Sequence, residues 1–235
     1  MILERKTRIN IPDLKEQRDI ILSLFQSLSS DNPENSFLQL AELMQMYGAA
    51  MKEINTKLDI LDDEFQITHK HSPIHHIQCR VKNPAGIYKK MHRYGVPLSL
   101  ESAKEHIKDI AGIRVVCNYI DDVYTIENML LKQPDITSIS RKDYILQPKE
   151  NGYRSLHLIV KIPIFLSNKT EDIPVEIQMR TIAMDYWASL EHTLQYKNDR
   201  SDIEKYTAML KDCSKTLADT EKTMQYIRKG IEEGT

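Results

Sequence analysis

Apolar residues along this chain change period twice. Phe37, Leu40, Met44, Tyr47, Met51, Ile54 and Leu58 recur every three or four residues, the spacing of one helix face. An earlier helix is predicted over 12–28, closed by the polar, proline-ended stretch 29–33. In the middle third the period shortens to two. Strands are predicted over 65–70, 74–80, 112–119, 136–146, 155–162 and 173–180. Helices are predicted between them over 84–94, 100–108 and 121–132, the first with Asn83 as N-cap and Pro84 at its first position. The last third returns to helical spacing over 182–196. Then Ile203, Tyr206, Leu210, Cys213, Leu217, Met224, Ile227 and Ile231 step by three, four or seven, with a gap at Thr220.

These elements predict an α+β architecture, a mixed sheet of about five strands flanked by helices. The chain divides into N-terminal helices (1–62), a central domain (63–197) and a C-terminal helix (198–235). A seam as thin as that of the last helix needs a partner to bury it, so the terminal helices are expected to form a contact between copies of the chain.

Charge sharpens the picture. The 235-residue chain is nearly balanced, with a formal net charge of −2. Yet residues 65–100 contain no Asp or Glu, while they hold Lys70, Arg80, Lys82, Lys89, Lys90, Arg93 and five histidines. A one-sign patch in a balanced chain is a site for something anionic. Overall acidity argues against a surface that coats DNA or RNA. No stretch approaches the ~18 apolar residues of a membrane span. Charges where a secretion signal needs an apolar core, and three widely spaced cysteines, point to a reducing cytoplasm.

Four places in the sequence carry candidate chemistry. Arg80, Lys82 and Lys90 surround a predicted helix start, where free N–H groups favour phosphate, and Gly86 in the first turn leaves the backbone approachable. Asp109 precedes one predicted strand. Glu176 shares the polar face of another with Gln178 and Arg180, against Ile173, Val175, Ile177 and Met179 on the core face. Paired carboxylates are what Mg²⁺ takes in polyphosphate chemistry. The stretch 141–157 mixes Lys142, Lys149, Tyr153 and His157 around an Asn151-Gly152 turn, and Tyr153 offers a flat face to a nucleobase. His69, His71, His75, His76 and Cys79 have metal-ligand chemistry without a standard zinc spacing; on a regular strand His75 and Cys79 would share one face.

Arg80-Val-Lys82 with Lys90, Asp109-Ile-Ala-Gly-Ile-Arg114, Lys142-Asp-Tyr144, Asn151-Gly-Tyr153-Arg-Ser-Leu-His157 and Glu176-Ile-Gln178-Met-Arg180 occur in this order. Together they resemble the synthetase domain of the RelA/SpoT-homologue alarmone synthetases over about residues 40–200, and most nearly its small RelP type. The resemblance implies a nucleotidyltransferase-like fold and a Mg²⁺-dependent GTP diphosphokinase of the stringent response. Pyrophosphate would pass from ATP to the 3′-hydroxyl of GDP or GTP, giving AMP and ppGpp or pppGpp. Arg80 and Arg114 would sandwich adenine, and Lys82 and Lys90, with Gly86, would meet ATP phosphates. Asp109 and Glu176 would hold Mg²⁺, and Glu176 would accept the hydroxyl proton. Tyr153 would stack on guanine, with Asn151, His157 and Gln178 placing the acceptor and Lys142 and Lys149 at its phosphates. A homotetramer is also implied.

Gly86 departs from the Ser of many relatives, which loses a hydroxyl contact to phosphate. No His-Asp dipeptide of the hydrolase kind is present, so synthesis without hydrolysis is expected. The alternative is a catalytically weak nucleotide- or RNA-binding regulator on the same fold, although no residue specifically supports single-stranded RNA.

Overall fold

The structure, a computed structural model, describes residues 8–10, 33–69, 71–195 and 203–233. The helix predicted over 12–28 and Lys70 lie outside these residues. Helix α1 (Pro33–His69) lays Leu40, Met44, Tyr47, Met51, Ile54 and Leu58 into the core, as their spacing requires. It continues through residues 65–69, where a strand was expected. Phe65 falls one turn after Leu61 and both are buried, whereas Ile67 is 84% exposed. The alternation of Phe65 and Ile67 is therefore incidental to a continuing helical period. Buried Asp62 fastens the chain beyond the helix, accepting from Ser72 Oγ (2.9 Å) and the Ile74 N–H (2.8 Å).

The strands are β1 (Arg8–Asn10), β2 (Ile74–Val81), β3 (Ala111–Cys117), β4 (Thr137–Asp143), β5 (Leu156–Phe165) and β6 (Thr170–Thr181). They form one mixed sheet in the order β1-β2-β3-β6-β5-β4. The pairs β1/β2 and β3/β6 are parallel and the rest antiparallel. The five longer strands are those the alternation predicts; β1 is three residues, too short to show a period.

Between them run α2 (Pro84–Tyr94), α3 (Leu100–His106) and α4 (Ile120–Leu131), and after β6 come α5 (Ile182–Gln195) and α6 (Ile203–Glu233). The odd-numbered residues of β3 and β6, from Ile113 and Val115 to Ile177 and Met179, are buried in the cluster that α1 and α4 share. Their even-numbered neighbours, Gly112, Arg114, Glu176 and Gln178, are half-buried on the opposite face. That face carries the candidate site.

Helix α6 lies along its own domain. Leu210 and Leu217 are half-buried, while Tyr206, Cys213, Met224, Ile227 and Ile231 are exposed. The surface it presents to the domain is more polar than the predicted seam, with Ser214, Glu221, Gln225 and Arg228 making the contacts.

Candidate active site

The phosphate corner begins where β2 ends. Asn83 caps α2, its Oδ1 accepting from the Gly86 N–H at 2.7 Å, and Pro84 occupies the first turn. The Gly86 N–H is thus committed to the cap. A Cβ at Gly86 would lie 2.8 Å from that same Oδ1, so the missing side chain keeps the cap tight. Lys82 and Lys90 flank this turn and converge on Asp109, with Nζ to Oδ2 distances of 3.1 and 2.7 Å. Burial would raise the Asp109 pKa, but the hydrogen bond from Lys90 and the charge of Lys82 outweigh it and hold the carboxyl below its ordinary value. The other oxygen, Oδ1, is buried with no hydrogen-bond partner.

Strand register assembles the rest. Arg80 stands opposite Gly112, and Gly112 opposite Glu176. The next row runs Gln78, Arg114, Gln178, His157 and Lys142 across five strands. Glu176 Oε2 accepts from Gln178 Nε2 at 3.2 Å. Its pKa is raised, first by burial and then by the charge of Asp109, against the opposing pull of Gln178 and the two lysines. The two carboxylates therefore sit within each other's field, one driven down and the other up.

Beyond Glu176 lies an aromatic and cationic cluster. Arg180 Nη2 donates to Tyr153 Oη (2.7 Å) and to Gln178 Oε1 (3.0 Å). Guanidinium can only donate, so the Tyr153 proton goes to His157 Nε2, 2.8 Å away. That leaves the His157 proton on Nδ1, facing Glu176 Oε1 at 3.9 Å. Burial, then the charges of Arg180, Lys149 and Lys142, hold the His157 pKa down to about 4. Lys149 Nζ sits 4.8 and 4.9 Å from the Tyr144 and Tyr153 ring centroids.

The loop that carries Tyr153 is built by its own residues. Asn151 Oδ1 accepts from the Tyr153 N–H (3.1 Å) and its Nδ2 donates to Glu191 (3.1 Å). Both ends of that amide are occupied in shaping the turn. Gly152 adopts φ +94°, which only glycine takes cheaply. Lys142 is exposed at the far end of its row, and Arg80 is exposed on β2.

Two residues join the site without having been singled out, and a third gains partners. Asp185, in the first turn of α5, bridges Arg114 Nη1 (3.3 Å) and Arg180 Nη1 (3.2 Å) through one oxygen. Gln78 Oε1 accepts from Arg114 at 3.3 Å. Gln78 was legible as sharing the face of Arg80 two residues on; Asp185 looks in sequence like any acid in a first helical turn. Arg180, noted only within its motif, is 5% exposed and central to the cluster.

Four histidines of the acid-free window divide into two pairs, His69 and His71 around Phe65 and His75 beside His76. His69 stacks on Phe65 (centroids 3.9 Å) and His71 reaches Asp122 (3.3 Å). A register irregularity near Ile74 breaks the regular alternation. His75 is therefore exposed beside His76, while Cys79 is buried and donates to Asn55 at 3.6 Å. His75 and Cys79 do not share a face. No group of three metal-ligating side chains occurs among the described residues.

A model of the family described as "Region found in RelA / SpoT proteins" matches residues 79–201, from the phosphate corner past Glu176 to the end of α5. GTP pyrophosphokinase YwaC of Bacillus subtilis (strain 168) is 41% identical over 80% of this chain and 89% of its own. GTP pyrophosphokinase YjbM of the same organism is 36% identical over 80% of this chain and 87% of its own. The crystal structure of small alarmone synthetase 1 from Bacillus subtilis, bound to its product pppGpp, superposes with a TM-score of 0.73 at 34% identity, covering 83% of this chain and 98% of that one. By the family match, which spans just over half of the chain, and by these identities, this chain belongs to the RelA/SpoT family, among its small alarmone synthetases.

Proposed function

We propose that this protein transfers pyrophosphate from ATP to the 3′-hydroxyl of GDP or GTP, forming ppGpp or pppGpp. The ribose 3′-oxygen attacks the β-phosphorus of ATP, the bond from that phosphorus to the α-phosphate oxygen breaks, and AMP leaves. The observation that carries this reading is Glu176 on a sheet face within the field of Asp109, which stands in the turn before β3, with a lysine-and-helix corner on one flank and the Tyr153–His157–Arg180 cluster on the other. Two nucleotides must be fixed at once, and two separate recognition clusters match that need.

The donor takes Lys82 and Lys90 at its phosphates, with Arg80 and Arg114 at adenine. Gln78 and Asp185 hold the Arg114 guanidinium in place. The acceptor takes Tyr153 at guanine, His157 and Gln178 at the nucleoside, and Lys142 and Lys149 at its phosphates. Asn151 serves by setting the loop. Glu176 receives the 3′-hydroxyl proton, and its raised pKa makes it a better base than an ordinary carboxylate. Asp109 and Glu176 are the residues to hold Mg²⁺: the donors are hard oxygens, they repel one another when empty, and one Asp109 oxygen is buried without a partner. The ion supplies charge neutralisation on the transferred phosphates.

Three free cysteines fit a cytoplasmic protein, and no described helix is long and apolar enough to cross a membrane. A homotetramer is proposed too, supported by the exposed stripe of Tyr206, Met209, Met224, Ile227 and Ile231 on α6. Chromatographic identification of the nucleotides formed from ATP, GTP and Mg²⁺ tests the activity. AMP and pppGpp in equal amounts are expected. Release of free pyrophosphate would indicate a nucleotidyltransferase, and no turnover a binding protein.

A further inference from the structure

Helix α6 lies outside every motif used so far, yet two of its side chains reach the loop that carries Tyr153. Ser214 is buried and its Oγ donates to the Gly152 carbonyl at 2.5 Å. The approach is close: a Cβ on Gly152 would lie 2.9 Å from the Ser214 Cβ and 3.2 Å from the Lys211 Cα. Gly152 is thus required twice, for its positive φ and for the passage of α6. Two turns on, Glu221 accepts from Arg154 Nη1 at 3.0 Å, with both side chains 11% exposed. Glu221 also accepts from the Thr181 hydroxyl. Thr181 caps α5 by accepting from the Met184 N–H at 3.2 Å, and the first turn of α5 carries Asp185.

Glu221 therefore ties together the two segments that frame the acceptor cluster. One is the loop 151–154, which aims Tyr153. The other is the β6-to-α5 junction, which holds Arg180 and the residue bridging it. Glu221 touches neither Tyr153 nor Arg180 itself. We infer that Ser214 and Glu221 are positioning residues for the acceptor nucleotide, so that the C-terminal helix forms the outer support of the guanine-side pocket. This deepens the proposed synthetase reading and rests on it. Helix α6 bonds directly to the loop of the acceptor side, through Gly152 and Arg154, and reaches the donor side only through the α5 junction, where Asp185 also bridges Arg114, so the larger effect falls on the acceptor.

The test is steady-state synthesis by the full chain carrying Glu221→Gln or Ser214→Ala, with the KM of each nucleotide measured at saturating levels of the other. Glu221→Gln keeps an acceptor for Thr181 but loses the charge that holds Arg154. Loss of one charge-assisted hydrogen bond corresponds to about a tenfold change, so the acceptor KM should rise about tenfold. The ATP KM should rise less, because Arg114 keeps its bond to Gln78 whatever happens at the α5 junction. Ser214→Ala removes one bond, to the acceptor loop alone, in a helix face that otherwise remains intact, and should raise the acceptor KM without the ATP KM. Arg154→Ala added to Glu221→Gln should cause little further change. Equal shifts of both KM values alongside a lowered Tm would show a structural role only and overturn the inference, as would two unchanged KM values. A wild-type protein that made no alarmone would instead overturn the synthetase reading, and the positioning role with it.

Discussion

His157 should remain uncharged far below the pH at which an ordinary histidine gains its proton. It is 18% exposed and sits among Arg180, Lys149 and Lys142, so a proton added there would be buried beside three cations. Its pKa is lowered from 6.5 to about 4, which corresponds to about 3 kcal/mol against protonation in the folded state. The sign follows from linkage. Below about pH 6.5 the unfolded chain takes up this proton, while the folded chain does not until about pH 4. This histidine therefore contributes a loss of stability that grows as pH falls between those values, and none at pH 7. The perturbation is acidification, and two assays report on it. NMR titration of the His157 ring Cε1 proton should show no midpoint above pH 5, a bound about one unit over the folded value. Urea unfolding of wild type and His157→Gln across the same interval should give a stability difference that shrinks with acid by about 3 kcal/mol. A ring midpoint near 6.5 would refute the reasoning, because burial and the three neighbouring cations would then not disfavour the imidazolium.

Further expectations concern the site as a whole. Glu176→Gln should lower synthesis by at least about 10²-fold, the usual contribution of a positioned base, with an unchanged circular dichroism spectrum; near-normal kcat would remove Glu176 from its role. Because the Glu176 pKa is raised and metal binding needs the carboxylate, the Mg²⁺ concentration for half-maximal rate should rise as pH falls; a pH-independent requirement would contradict this. Tyr153→Phe keeps the ring and loses the bonds to Arg180 and His157, whereas Tyr153→Ala loses both. The Ala variant should therefore show the larger rise in GTP KM, by a further factor of about 10 for one stacked base; equal values would remove the stacking role. Incubation of the protein with pppGpp and a divalent metal should yield no GTP, and measurable GTP would contradict a synthetase-only reading.

Much of this site was legible because β-strands have a strict period. Glu176, Gln178 and Arg180 had to share a face once Ile173, Val175, Ile177 and Met179 were assigned to the core. Arg80, Lys82 and Lys90 were legible because Asn83-Pro84 marks a helix start. What was hidden falls into two kinds. Residues 65–69 satisfy two periods at once, and only packing, with Phe65 in and Ile67 out, decides for the helix. Asp185, Ser214 and Glu221 are ordinary helix residues whose partners lie across the fold; Glu221 reaches Arg154 67 positions away and Ser214 reaches Gly152 62 away. No local spacing announces such contacts. The heptad on α6 was visible, but the polar surface that docks the helix was not, since polar residues on a helix ordinarily signal solvent.

Attack at the β-phosphorus of ATP, with AMP as leaving group, is what sets the proposed reaction apart from nucleotidyl transfer. The most direct measurement follows ATP labelled at its β-phosphate during incubation with GTP and Mg²⁺. The label should move to the 3′-position of the guanine nucleotide in step with AMP release. Label recovered as free pyrophosphate or left in ADP, with no 3′-labelled guanosine, would contradict it.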